Sequence, residues 1–302
     1  MLRSQYFNNA TLMRIASYAS VVTALMLIIA KLLAWYISDS LSILASLIDS
    51  SLDLLASLVN LLAIRHALQP ADKEHRFGHG KAEPLAALGQ SMFITGSAIM
   101  LLFQASGRVI HPQPLTSGVQ LGVGVMLFSI LATIGLLLLQ RYVIHKTNSA
   151  AIRADSLHYR SDLLINLSVI TALLLTQYGL IWLDPVMAIC IAIYVLFSAW
   201  RILKDAIDLL MDHEITDAER QQIFDVALNH PLTKGIHDLR TRRSGTTVFI
   251  QLHLELDPQL SLQKAHDVSN EVSREILGLF DEAEVIIHQD PLNDEPIEQS
   301  PA

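Results

Sequence analysis

The stretch Leu41–Ala67, LSILASLIDSSLDLLASLVNLLAIRHA, is as long as a membrane-spanning helix, mostly apolar, and carries two carboxylates near its middle. These are Asp49 and Asp53, and residues four apart share one face of a helix, with Cβ atoms roughly 6 Å apart. An ionised side chain inside a bilayer is costly and marks a functional site, usually with a partner of opposite charge. The stretch therefore predicts an intramembrane site to which another helix contributes.

The composition is that of a polytopic membrane protein. Of 302 residues, 52% are apolar and 17% are charged, and apolar windows of about 20 residues recur along the chain. The formal net charge of −8 argues against nucleic acid as a partner. The single cysteine, Cys190, excludes a disulfide framework and a thiolate metal site, so soft-metal chemistry must use histidine and carboxylate.

Six membrane-spanning helices are predicted within residues 1–212. Their expected bounds are Ile15–Tyr36, Leu41–Ala67, Pro84–Gln104, Val119–Gln140, Ser149–Thr176 and Ile181–Leu203. Lysine and arginine concentrate before the first span and in the loops after the second and fourth spans. The positive-inside rule therefore predicts that both termini are cytoplasmic. Lys31, near the far end of the first span, is interpreted as a side chain that extends to the membrane surface.

Residues 213–290 have the composition of a small cytoplasmic domain. Their pattern predicts helix, strand, strand, helix, strand, an αββαβ order that fits a metallochaperone-like α/β fold. The first helix is expected at Asp217–Asn229 with Thr216 as its N-cap, and a turn at Ser244-Gly245 is expected to join the first two strands. Residues 291–302 are predicted to be disordered.

The counter-group for the paired aspartates is predicted in the fifth span, within ADSLHYRSDLLIN. His158 and Asp162 again stand four residues apart on one helix face. Two helices that each present two ligands make a cage of three carboxylates and one imidazole, which suits a tetrahedral divalent ion such as zinc. The alternative is that His158 and Asp162 merely neutralise each other at a helix end.

Two further groups of histidine and aspartate lie outside the spans. The loop QPADKEHRFGHGKAEP contains Asp72, His75 and His79 at metal-ligand spacing, although loop histidines are often only solvated. The C-terminal domain contains five candidate ligands, which the alternative interpretation treats as ordinary surface residues. They are His237, His253, His266, His288 and Asp290. His288 and Asp290 are two apart on a strand and point to the same face.

These motifs together resemble those of the cation diffusion facilitator family. The likeness rests on the paired DxxxD and HxxxD, on FGHGKAE (Phe77–Glu83), and on HDLRTR and IIHQDP in the C-terminal domain. It implies a homodimeric, proton-coupled exporter of zinc, cadmium or iron(II) in the bacterial inner membrane, with zinc also as a structural ion and no organic cofactor.

The resemblance also implies a role for each candidate ligand. The transport site would be Asp49, Asp53, His158 and Asp162, and a loop site would be Asp72, His75 and His79. A two-ion cytoplasmic site would comprise His237, His253, His266, His288 and Asp290, with Asp290 bridging. Lys81 and Asp212 would interlock the two protomers at the membrane surface.

Two other classes of function remain open at this point. A membrane-bound metal sensor would use the same ligands without transport, although no catalytic or DNA-binding output module follows the C-terminal domain. An intramembrane metallohydrolase commonly carries HExxH, whereas His213-Glu214 lacks the second histidine. ATP is not expected as the energy source, because GHGKA has neither the spacing nor the hydroxyl residue of a phosphate-binding loop.

Overall fold

The computed structural model describes residues 2–38, 41–110, 119–176 and 182–292. It divides into two compact units, one of Asn8–Asp208 and one of Leu209–Ala302 together with Met1–Phe7. The first unit is built of long helices and the second of a small sheet with two helices. Of the residues predicted to be disordered, 293–302 lie outside the described part of the chain.

Among the described residues, six long helices make up the first unit. They are α1 (Leu2–Ser38), α2 (Leu41–Ala67), α3 (Ala82–Ile110), α4 (Val119–Thr147), α5 (Ala150–Thr176) and α6 (Leu183–Leu210). All of them except α5 are long and apolar enough to cross a membrane, by length and composition. Large apolar side chains such as Phe103 and Leu131 are exposed on their outer faces, as a lipid environment requires. The prediction of an α-helical polytopic membrane protein with a C-terminal α/β domain is confirmed.

The fifth helix differs from the others because its first half is charged and buried. Asp155 and His158 are both buried there, and α5 packs against α2, α3 and α4. A helix that is buried on all sides belongs at the centre of a bundle. Asp155 and His158 are therefore held inside the protein, where neighbouring helices supply their partners.

The described part of the C-terminal unit contains two helices and three strands. They are α7 (Asp217–Asn229), β1 (Gly235–Ser244), β2 (Thr247–Leu256), α8 (Leu262–Leu277) and β3 (Ala283–Pro291). The sheet order is β1-β2-β3, with β1 antiparallel and β3 parallel to β2. The predicted N-cap is confirmed, since the Thr216 side chain accepts from the Glu219 amide and Glu219 caps Thr216 in return.

Alternation along β2 fixes which face of the sheet is buried. Val248, Ile250, Leu252, Leu254 and Leu256 are all buried in the domain core, together with the inner face of α8. The intervening residues point the other way. His253 is one of these, so the alternation places it on the face away from the core.

A hydrogen bond between His230 and Glu271 joins the end of α7 to α8. The two side chains meet at 3.1 Å, and the hydrogen bond from His230 lowers the pKa of Glu271 below its ordinary 4.5. A carboxyl group whose pKa is lowered by folding stabilises the folded domain at pH values above its ordinary pKa. This contribution is lost as the pH falls through the lowered pKa. We expect the melting temperature of wild type to exceed that of Glu271→Gln at pH 6 and to match it near pH 3.

Calorimetry of the full chain at both pH values measures this difference. The glutamine retains an acceptor oxygen but does not titrate, so it isolates the charge. A melting-temperature difference that stayed constant with pH would show that the carboxylate charge contributes nothing.

Candidate metal-binding sites

The predicted transport-site residues of α2 and α5 meet inside the helical unit. His158 Nε2 lies 2.9 Å from Asp53 Oδ1 and 3.7 Å from Asp162 Oδ2. One ligand atom from each of the three residues lies within 4.8 Å of the others. His158 is buried, while the two aspartates are partly exposed, so an ion bound here would be enclosed on one side and accessible on the other. Two carboxylates and an imidazole suit a divalent transition metal.

Asp49 is the one predicted transport-site residue that lies apart from this cluster. It is exposed and stands one helical turn before Asp53 on α2. The same spacing of one turn separates His158 from Asp162 on α5, so the spacing itself does not exclude Asp49 as a ligand. Its assignment as a fourth ligand stays a prediction.

A network of hydrogen bonds surrounds Asp155, which stands one helical turn before His158 on α5. The Asp155 carboxylate accepts from Ser20 Oγ at 2.6 Å, Gln140 Nε2 at 2.7 Å and Gln90 Nε2 at 3.2 Å. These partners come from α1, α4 and α3, so a single buried carboxylate ties α5 to three other helices. Both Asp155 oxygens are engaged in these bonds, which makes Asp155 a structural group rather than a metal ligand.

Lys31 is a residue near this site that sequence reasoning missed. Its Nζ donates to Ser50 Oγ at 2.6 Å and to the Ser46 carbonyl at 3.1 Å. The interpretation of Lys31 as a side chain that extends to the membrane surface did not include this contact, through which the ammonium is held against α2. Its position near the helix end concealed this partner, which only the packing of α1 on α2 reveals.

The loop between α2 and α3 gathers a second cluster. His79 Nε2 lies 3.2 Å from His75 Nδ1 and 3.4 Å from Asp72 Oδ2. Asp72 also accepts from the His75 amide at 2.6 Å, and this bond holds the pKa of its carboxyl below the ordinary value. The left-handed conformation of Gly78, with φ 77°, lets the chain turn between the two histidines. The ring of His66, at the end of α2, lies 4.5 Å from that of His79.

The sheet register assembles the third cluster in the C-terminal unit. His253 on β2 faces His237 on β1 and His288 on β3, so three imidazoles form a row across the sheet. Asp290 lies two residues after His288 on β3, with Oδ2 at 2.8 Å from His253 Nδ1 and 3.2 Å from His237 Nε2. Its Oδ1 lies 3.2 Å from His288 Nε2. One carboxylate thus reaches all three histidines, a geometry suited to bridging two ions.

Two acidic residues beside this row were not found by sequence reasoning. A bulge in β1 gives Asp238 a positive φ of 47° and brings its Oδ2 to 3.8 Å from His253 Nε2. Glu255 Oε1 lies 3.7 Å from His237 Nε2. His266, by contrast, bonds to Asn270 on its own helix α8. The fifth predicted ligand of this site therefore stays a prediction.

Comparison with known proteins places the chain in a family. A model described as the cation efflux transmembrane domain matches residues 17–211, and one described as the cation efflux protein cytoplasmic domain matches residues 215–292. The chain belongs to the cation efflux family. The resemblance predicted from the sequence motifs is thereby confirmed.

Individual members of the cation efflux family match over nearly the whole chain. The cation-efflux pump FieF of Shewanella oneidensis is 50% identical over 286 residues, covering 95% of this chain and 96% of the relative. That of Salmonella paratyphi A is 48% identical over 294 residues, covering 96% and 97%. The metal-bound C-terminal domain of the CzcD transporter from Thermotoga maritima is 31% identical, covering 26% of this chain and 98% of that domain, with a TM-score of 0.25.

The predicted interlock of the cation efflux protein involves one residue from each unit. Lys81 lies in the loop before α3. Asp212 has a positive φ of 58° and pairs with Arg242 at 3.4 Å within the C-terminal unit. Its pairing with Lys81 across protomers stays a prediction.

Proposed function

We propose that this cation efflux protein exports divalent metal ions, zinc and cadmium foremost, from the bacterial cytoplasm in exchange for protons. The observation that carries the proposal is the cluster of Asp53, His158 and Asp162, which converge from two helices inside a polytopic membrane protein. An intramembrane group of ionisable residues with ligand geometry has few uses other than moving an ion. Asp49 is proposed as the fourth ligand.

Exchange with protons follows from the chemistry of the ligands. Carboxylate and imidazole must be deprotonated to bind a metal, so metal release and proton uptake at the same groups are linked. Imidazole is the ligand type that ordinarily titrates near neutral pH, which makes His158 the proposed proton carrier. Alternating exposure of the site to cytoplasm and periplasm would then carry metal outward and protons inward.

Expelling a dication from a negative cell interior requires an energy source. The cost is about 2.3 kcal/mol per charge per 100 mV, hence roughly 4.6 kcal/mol for a dication at that potential. With no phosphate-binding loop predicted in the sequence, the inward proton gradient is the proposed source. We further propose that both termini are cytoplasmic and that the protein acts as a homodimer, which fits the name ZT_dimer of its matched cytoplasmic family model.

Metal flux into reconstituted vesicles tests the proposal. Vesicles that contain the wild-type protein and a zinc-sensitive dye, with an acidic lumen and a neutral exterior, should accumulate zinc as protons leave. Competition with cadmium, iron(II), manganese and magnesium ranks the substrates, and magnesium should compete least because its oxygen-only preference does not suit imidazole. Zinc binding without flux would instead favour a metal sensor.

The row of histidines in the C-terminal unit is proposed as a structural zinc site that stabilises the dimer. We expect His253→Ala to weaken zinc binding there by more than the roughly 10- to 100-fold that loss of an outer partner costs. It should also shift the full-length protein in detergent toward monomer, as measured by analytical ultracentrifugation with and without zinc. His213→Ala removes an exposed histidine elsewhere in the same unit and serves as the control. If His253→Ala lost the zinc of this site completely and still dimerised as strongly as wild type, the zinc would not stabilise the dimer.

A further inference from the structure

The ammonium of Lys31 is fixed to α2 by its own hydrogen bonds. It belongs to α1, yet it donates to Ser50 Oγ at 2.6 Å and to the Ser46 carbonyl at 3.1 Å. Lys31 is partly buried, and a lysine that lies against a neighbouring helix at this depth is rare unless it has a charge partner. Its partner groups must therefore be sought along the same face of α2.

The carboxylates of the transport site lie along that face. Ser46 and Ser50 are three residues before Asp49 and Asp53 respectively, so the four side chains form one stripe on α2. The Lys31 charge interacts electrostatically with Asp53, with Asp162 on α5 and with Asp49. A positive charge thus stands beside the site in which the proposed function binds a dication.

We propose that Lys31 is a fixed counter-charge that sets how tightly the transport site holds its metal. The inference rests on the proposed function. The ionised carboxylates of Asp49, Asp53 and Asp162 carry three negative charges, which a dication and the Lys31 ammonium together balance. A neutral loaded site costs far less to enclose inside the bilayer than a charged one. The same ammonium repels the dication and so prevents it from binding too tightly to be released.

This role differs measurably from that of a simple tether between α1 and α2. If Lys31 only held α1 against α2, its loss would lower kcat and would raise the KM for zinc or leave it unchanged. Loss of a repelling charge should lower the KM, because the dication binds more tightly, and also lower kcat, because release becomes slower. Charges less than about 10 Å apart at the effective dielectric constant of protein interiors change affinity by about tenfold or more.

The experiment measures zinc flux in vesicles for wild type and for three variants. Lys31→Gln removes the charge and keeps a donor, and we expect its KM to fall about tenfold together with a lower kcat. Lys31→Arg keeps the charge and should retain a KM within a few-fold of wild type. Lys146→Gln removes one positive charge from the exposed end of α4 and controls for the net charge of the protein.

A second neutral variant keeps the test decisive where Lys31→Gln does not fold. Lys31→Met removes the charge, keeps an unbranched side chain and suits the partly buried position, so its KM should fall by a similar factor. An unchanged or raised KM in the neutral variants, or a tenfold lower KM in Lys31→Arg, would overturn the inference. Absence of zinc flux in wild type would instead overturn the proposed function.

Discussion

Asp53→Asn is expected to reduce proton-driven zinc flux at least about 100-fold. Asp53 contributes the carboxylate oxygen nearest to His158, at 2.9 Å, and therefore links the α2 and α5 halves of the site. Asparagine has nearly the same shape but carries no charge, so it removes a ligand charge without opening a cavity. Because Asp53 is proposed as a direct ligand, its loss should cost more than the roughly 10- to 100-fold that loss of an outer partner costs. Initial zinc uptake into vesicles under a fixed proton gradient measures the effect.

The control for this variant is Asp208→Asn, which makes the same chemical change near the end of α6. Asp208 lies outside the cluster of Asp53, His158 and Asp162, so its flux should equal that of wild type. Circular dichroism and size-exclusion profiles should show both variants folded. If Asp53→Asn transported zinc as fast as Asp208→Asn, the assignment of the transport site would be wrong.

The sequence predicted the helices and strands because their signals are local. Apolar length identifies a spanning helix such as α2, whose predicted bounds match those observed. Alternation identifies β2, and the N-cap at Thr216 follows from a four-residue motif. The helix ends were less well predicted, since α1 begins at Leu2 rather than near Ile15 and α3 continues to Ile110. These helices continue through polar residues beyond their apolar windows, and a prediction from hydropathy does not include such residues.

The candidate sites were predictable where the ligands are paired on one element. Asp53 with Asp49, and His158 with Asp162, are recognisable from a spacing of four residues. Groups that depend on packing between elements were not predictable, because no sequence pattern connects Lys31 to Ser50. Asp238 was missed for a similar reason, since a bulge in β1 brings it toward His253.

A second large effect is expected for Asp155→Ala, on folding rather than on metal binding. The substitution removes the acceptor that Ser20, Gln90 and Gln140 share. Ser20 can still donate to the Ala16 carbonyl at 3.1 Å, whereas one N–H of each glutamine loses its acceptor. Each unsatisfied buried group costs about 1–3 kcal/mol, so the two together cost about 2–6 kcal/mol, a large share of the roughly 5–15 kcal/mol that stabilises a typical protein. We expect little folded protein in detergent extracts, with a clearly lowered melting temperature for what remains.

Asp155→Asn distinguishes this structural role from that of a ligand. The Oε1 atoms of Gln90 and Gln140 are buried without a hydrogen-bond partner among the described residues. If either glutamine amide rotates, its oxygen accepts from the side-chain amide that the substitution introduces, so the network survives. Asp155→Asn should therefore fold and transport zinc, whereas Asp53→Asn should fold and not transport it. Equal melting temperatures for Asp155→Ala and wild type would show that the four helices are held together without this carboxylate.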